Sequence, residues 1–144
     1  MDIDPRTLIP HREPFLLVDA ITELVPGRSG RGVYAVPANL EILAGHFPGN
    51  PVLPGVYQVE AIAQLGAAVV LSDERYRGTL PLFGGIDRAR FRGQVLPGQK
   101  LELEVEMTSL SARAGKGNGS ASIDSKLVAE VSLFFVIAPG SSRS

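Results

Sequence analysis

The stretch Leu53-Pro54-Gly55-Val56-Tyr57-Gln58-Val59-Glu60-Ala61-Ile62-Ala63-Gln64-Leu65-Gly66-Ala67-Ala68-Val69-Val70-Leu71-Ser72 decides the fold. Pro54 suits a first-turn position, where a missing N–H costs nothing. The residues after it are Ala-rich and apolar on nearly every face, and they predict a helix over Leu53–Ser72. A helix apolar all round is one that the rest of the chain surrounds. Strands supply the surroundings. Leu101, Leu103, Val105 and Met107 alternate with Glu102, Glu104, Glu106 and Thr108, a period of two. Leu127, Ala129, Val131, Leu133, Phe135 and Ile137 repeat that pattern near the C-terminus. Leu80–Arg92 reads as another strand, and Phe15–Val25 and Gly32–Val36 as weaker ones. Ala112–Ser125, with Gly115, Gly117 and Gly119, reads as a hairpin turn and a weak strand. The expected class is α+β: an antiparallel β-sheet, apolar on one face, wrapped around one long central helix.

Composition narrows the function. With 144 residues, the chain is expected to form a single domain, with an ordered core over about 8–138 and a polar tail over 139–144. A formal net charge of −1 argues against nucleic-acid binding, which needs a basic excess. The absence of Cys excludes disulfides, cysteine nucleophiles and thiolate metal sites. With two histidines and no suitably spaced carboxylates, no metal site is expected. The longest apolar runs, Ala67–Leu71 and Leu133–Ala138, fall far short of the ~20 residues of a membrane span. The acidic N-terminus lacks the apolar region of a signal peptide, so a cytoplasmic location is expected.

Gly 16 and Pro 11 make up nearly a fifth of the chain, against about 12% on average. Six of the eleven residues from Gly45 to Gly55 are Gly or Pro. Such a stretch is a loop with a determined path, either an ordinary connection or a holder for His46. Glu60 lies inside the apolar helix, with Gln64 one turn further along the same face. An unpartnered buried carboxylate is costly, so Glu60 is either paired structurally, exposed on a polar stripe, or a functional acid that burial keeps protonated. The N–H groups around Gly55 lack intrahelical acceptors and carry the positive end of the helix dipole. Base, acid and oxyanion donors thus fall within residues 46–60, a set suited to proton abstraction beside a carbonyl with loss of a leaving group.

The chain resembles the FabZ-type β-hydroxyacyl-(acyl-carrier-protein) dehydratases of the hot-dog fold. The matching stretches are Ile9-Pro10-His11-Arg12-Glu13-Pro14-Phe15-Leu16-Leu17-Val18-Asp19, the Gly45–Gly55 loop, Val59-Glu60-Ala61-Ile62-Ala63-Gln64 and Gly85-Ile86-Asp87-Arg88-Ala89-Arg90-Phe91. The resemblance runs from about Leu8 to Val136. It implies dehydration of a (3R)-hydroxyacyl thioester on acyl-carrier protein to a trans-2-enoyl thioester, with His46 and Glu60 as the catalytic pair. Gly55 would lend its N–H to the thioester carbonyl, with Val56, Phe47 and Phe83 beside it in the substrate site. It further implies no metal or organic cofactor and a site shared across a homodimer, with dimers assembling into a trimer of dimers (a hexamer). FabA-type dehydratase/isomerases carry Asp where this chain has Glu60, which favours plain dehydration. Leu53 replaces a frequent Met, and Pro81 and Leu82 stand where some members have a gating Tyr.

Other residues have rival readings. Arg88, Arg90 and Arg92 share one strand face, either docking an acidic carrier protein or pairing with Glu106, Glu104 and Glu102 across a hairpin turned at Pro97-Gly98. His11 and Arg12 are expected to order the N-terminal segment or the dimer edge. Phe15, Phe47, Phe83 and Phe91 either line an acyl tunnel or pack in the core, with the core as default. Two other functions fit the fold: an acyl thioesterase using Glu60, which leaves the His46 loop unexplained, and a non-catalytic acyl-binding partner subunit. A polyketide dehydratase would carry the same sequence features as a fatty-acid one.

Overall fold

A computed structural model describes residues 2–140; the last four residues of the expected polar tail lie outside them. One antiparallel sheet of six strands holds one long helix. The strands are β1 (Ala20–Val25), β2 (Ser29–Ala35), β3 (Thr79–Phe91), β4 (Lys100–Leu110), β5 (Ala114–Ile123) and β6 (Lys126–Pro139), in the spatial order β1-β2-β4-β5-β6-β3. The helix α1 (Gly55–Leu71) is set between β2 and β3 in sequence. This is the hot-dog arrangement expected above.

α1 has the predicted extent to within two residues, and from Ala61 to Val70 every side chain is buried. The alternation in β4 sorts Leu101, Leu103 and Val105 to the helix side and the glutamates to the outside. The glycines of β5 do not form the expected turn. They lie inside the strand, where Gly115 and Gly117 face inward and Lys116 and Asn118 outward. Small inward residues let the helix approach: a Cβ on Gly119 would collide with Ile62 Cγ2 of α1. Phe15–Asp19, expected as the start of a strand, is irregular chain. Its polar groups are satisfied elsewhere: Leu17 N–H donates to the Gln64 side chain and Asp19 Oδ2 accepts from Ala35 N–H.

β3 pairs only with β6 and forms an edge of the sheet. The expected hairpin between β3 and β4 is therefore wrong, and with it the pairing of Arg88, Arg90 and Arg92 with Glu106, Glu104 and Glu102. The turn at Pro97-Gly98 exists, with Gly98 at φ +88°. The connector leading to it is tied elsewhere, however: Leu53 N–H donates to Val95 O at 2.8 Å, and Gly98 N–H to Val36 O at 2.9 Å. It passes the start of α1 and delivers the chain beside β2. Among the described residues no helix is long and apolar enough to cross a membrane.

Candidate active site

His46 sits in a loop fixed by its own backbone. Val52 N–H donates to His46 O at 2.7 Å, and Phe47 and Asn50 exchange two bonds of 3.1 and 2.8 Å around Gly49, at φ +74°. The His46 ring is half-buried and stacks on Phe47 with centroids 4.1 Å apart. Its Nδ1 lies 2.8 Å from Val52 O. A carbonyl only accepts, so Nδ1 carries a proton, and in the neutral ring Nε2 presents a bare lone pair. The sequence pattern located the loop, and this carbonyl sets the tautomer a general base requires.

Six residues after Val52 comes Gln58, in the first turn of α1. The capping residue is Pro54, whose carbonyl accepts from Tyr57 N–H and Gln58 N–H. Among the described residues the N–H groups of Gly55 and Val56 have no backbone acceptor, so they are available to a developing oxyanion at the positive end of the helix. Gly55 is required by close approach. A Cβ there would stand 2.9–3.2 Å from three atoms of the Phe91 ring. Val56 is 72% exposed.

Glu60 is one turn further along. Its side chain is 22% exposed, so it is not buried as the apolar character of the helix suggested; its face looks onto the N-terminal segment, which covers it only in part. Gln64 Nε2 donates to Glu60 Oε2 at 2.9 Å and to Phe15 O at 2.8 Å, and Gln64 Oε1 accepts from Leu17 N–H at 2.8 Å. Gln64 is almost fully buried and ties the carboxylate, the helix and residues 15–17 together. His11 Nε2 lies 3.8 Å from Glu60 Oε2, a neighbour that the sequence assigned to ordering the N-terminal segment or the dimer edge. Burial pushes the His11 imidazole below its ordinary pKa, against the pull of Glu60 and with the help of Arg12. Gln58, which sequence reasoning passed over, is also buried, and among the described residues its Oε1 has no partner; a polar residue in an apolar helix was the available signal.

Among the described residues no hydrogen bond or ion pair joins His46 to Glu60 within one chain. Nor do the aromatic residues follow the default. Phe15, Phe47, Phe83 and Phe91 are 45%, 53%, 38% and 49% exposed rather than packed in the core. Leu82 and Ile86 are exposed beside them on β3, while Pro81 is buried. Arg88, Arg90 and Arg92 do share a face. They line a 420 Å³ cleft on the outer side of the sheet with Asn118, Glu130 and Ser132. Arg92 is held by Glu130 at 2.6 Å, and among the described residues no ion pair holds Arg88 or Arg90. Glu104 pairs with Arg31 at 3.0 Å. No cluster of three or more His, Asp or Glu suited to a metal ion occurs among the described residues.

With this geometry in place, known proteins give it a context. Residues 9–132 match the model of the FabA-like domain family. A 3-hydroxyacyl-(acyl-carrier-protein) dehydratase FabZ of Clostridium botulinum (strain Loch Maree / Type A3) is 50% identical over 132 residues, 92% of each chain. The protein of the same name from Bacillus velezensis is 50% identical over 132 residues, 92% of this chain and 94% of the other. Among solved structures, a conserved protein of Pseudomonas aeruginosa superposes with a TM-score of 0.71 at 14% identity, over 92% of this chain and 97% of the other. A hypothetical thioesterase of Streptococcus pneumoniae with coenzyme A gives 0.65 at 12% identity, over 86% and 87%. At those identities the likeness concerns the fold.

Proposed function

Because the chain belongs to the FabZ-type dehydratases of the FabA-like family, which are hydro-lyases, we propose that it dehydrates (3R)-hydroxyacyl chains carried on acyl-carrier protein, in cytoplasmic fatty-acid biosynthesis. The observation that carries this reading is the bare Nε2 of His46 close in sequence to the unpaired N–H groups of Gly55 and Val56. The thioester carbonyl accepts from those N–H groups, which stabilise negative charge as it develops on the oxygen. His46 Nε2 takes the proton from Cα. The electrons of that C–H bond form the Cα–Cβ double bond, and the Cβ–O bond breaks toward oxygen. The departing hydroxyl takes a proton from Glu60 and leaves as water. Solvent then removes the proton from His46 and restores one to Glu60.

Among the described residues no hydrogen bond or ion pair joins His46 to Glu60 within one chain, which supports a site completed by a second copy, His46 from one subunit and Glu60 from the other. The β3 edge suits that role. Its backbone is unpaired on one side, and Leu82, Phe83, Ile86 and Phe91 are exposed along it, a combination that proteins otherwise cover. Phe47 and Phe83 flank the acyl chain in this reading. The dimers assemble further into a trimer of dimers. The carrier protein is acidic in character, and Arg88 and Arg90 on the outer cleft meet it, assisted by Arg92. No cofactor beyond the carrier's own prosthetic arm takes part.

The test is conversion of a 3-hydroxyacyl thioester to its enoyl product, followed by absorbance. His46→Ala and Glu60→Gln are each expected to lower kcat by about 10²–10⁴-fold, as loss of a general base or acid does. Normal turnover in either variant overturns the assignment of that residue. Thiol release without enoyl formation would instead make the protein a thioesterase.

A further inference from the structure

A second histidine faces the proposed acid, and the proposed reaction gives it no task. His11 lies in the segment that crosses α1 at Glu60 and Gln64. That segment is well held. Gln64 binds Phe15 O and Leu17 N–H, Phe15 N–H donates to Arg12 O at 2.9 Å, and Arg12 Nη1 donates to Ile9 O and His11 O at 2.9 and 2.6 Å. The imidazole is therefore presented at a fixed place. Its Nδ1 is buried and, among the described residues, has no hydrogen-bond partner. A buried N–H without an acceptor is rarer than an unmatched acceptor, so the proton belongs on Nε2, the atom 3.8 Å from Glu60 Oε2.

Glu60 has two oxygens in unlike surroundings. Oε2 accepts from Gln64 and faces His11. Among the described residues Oε1 has no hydrogen-bond donor. We propose that His11 is a positioning residue for the dehydration proposed above: with Gln64 it keeps Oε2 turned to the segment, so that Oε1 carries the proton given to the departing hydroxyl. The inference rests on the dehydratase reading and adds a role to it. Neutrality of His11 is part of the device. A cation beside Oε2 would favour the ionised carboxylate over the proton-carrying form. Burial holds the imidazole below its usual pKa, Arg12 on the same segment adds to this, and Glu60 from α1 opposes it.

The test uses the full chain with its carrier-bound substrate. His11→Ala should lower kcat by about tenfold while KM stays within about twofold, the pattern of a contact that matters in the transition state. His11→Gln keeps an N–H near the Nε2 position and cannot be charged. It should restore kcat to within about threefold. Nitrogen NMR of the free protein should show His11 as the Nε2–H tautomer. An unchanged kcat in His11→Ala, equal losses in both variants, or an Nδ1–H tautomer overturns the proposal. Should His11→Ala fail to fold, His11→Gln and the tautomer decide: kcat within about threefold of the unaltered protein with an Nε2–H tautomer supports the role, and a larger loss of kcat or an Nδ1–H tautomer refutes it. The tautomer measurement does not depend on turnover. An unaltered protein that forms no enoyl product refutes the dehydratase reading, and this role with it.

Discussion

Gly119→Ala tests whether helix and sheet are as closely packed as described. The new Cβ would collide with Ile62 Cγ2 and stand 3.2 Å from both Glu104 O and Val105 Cγ2. Ile62 is fully buried and Glu104 O is backbone, so neither side gives way easily. Overpacking of this kind costs about 1–3 kcal/mol. Relief of glycine's unfolded-state entropy offsets about 0.5–1 kcal/mol of it, leaving a net loss of about 2 kcal/mol at the upper end. Unfolding entropy near 2.1 cal/mol/K per residue converts this to a fall in Tm of about 7 °C for 144 residues. The assay is thermal unfolding at fixed protein concentration, since the dimer proposed above would make Tm concentration-dependent. Ile62→Leu removes the offending β-branch at nearly constant volume and should itself cost less than about 1.5 kcal/mol. In that background Gly119→Ala should cost much less, giving a coupling of about 1 kcal/mol or more in a double-mutant cycle. A Tm for Gly119→Ala at or above that of the unaltered protein would refute the reasoning, as would equal costs in the two backgrounds.

Gln64→Leu leaves Leu17 N–H and Phe15 O unpaired in a buried place and frees Glu60 Oε2, so stability should fall by about 2–4 kcal/mol in denaturant titration, with kcat falling too. Asp73 accepts from Arg75 N–H and pairs with its guanidinium at 2.7 Å, which holds its carboxyl below the usual range. A depressed carboxyl pKa contributes stability above the ordinary carboxylate range and loses it as pH falls through the lowered value. The Tm gap between the unaltered protein and Asp73→Asn should therefore be present near neutrality and close in acid. Arg88→Glu with Arg90→Glu should raise KM for the carrier-bound substrate by about tenfold or more at low salt and leave KM for a small thioester unchanged. An equal change for both substrates would remove these arginines from docking.

The helix was legible because its apolar residues leave no face for water, and such a segment has one environment open to it. β4 and β6 were legible from their alternation, which fixes their inward faces. Pairing was not. Pro97-Gly98 looks the same whether it reverses the chain beside β3 or beside β2, and the bonds that choose, Leu53 to Val95 and Gly98 to Val36, are non-local. Glycine in β5 has two meanings, turn and close approach, and only the position of Ile62 decides between them. In the site, the Gly/Pro loop and the helix start announced His46, Gly55 and Val56. His11 did not show itself, since it reaches Glu60 from 49 residues upstream through a segment without regular structure. The exposure of Phe47, Phe83 and Phe91 was hidden for another reason: an apolar side chain reads the same in a sequence whether it packs in the core or lies on the surface.

The central claim is that His46 and Glu60 act together from different subunits. Mixing the His46→Ala and Glu60→Gln proteins, with unfolding and refolding to exchange subunits, tests it directly. Random pairing yields hybrid dimers in which one site has both native residues, so about a quarter of native activity should return from two nearly inactive proteins. If differently tagged subunits co-purify as hybrids and the mixture stays inactive, the shared site is contradicted.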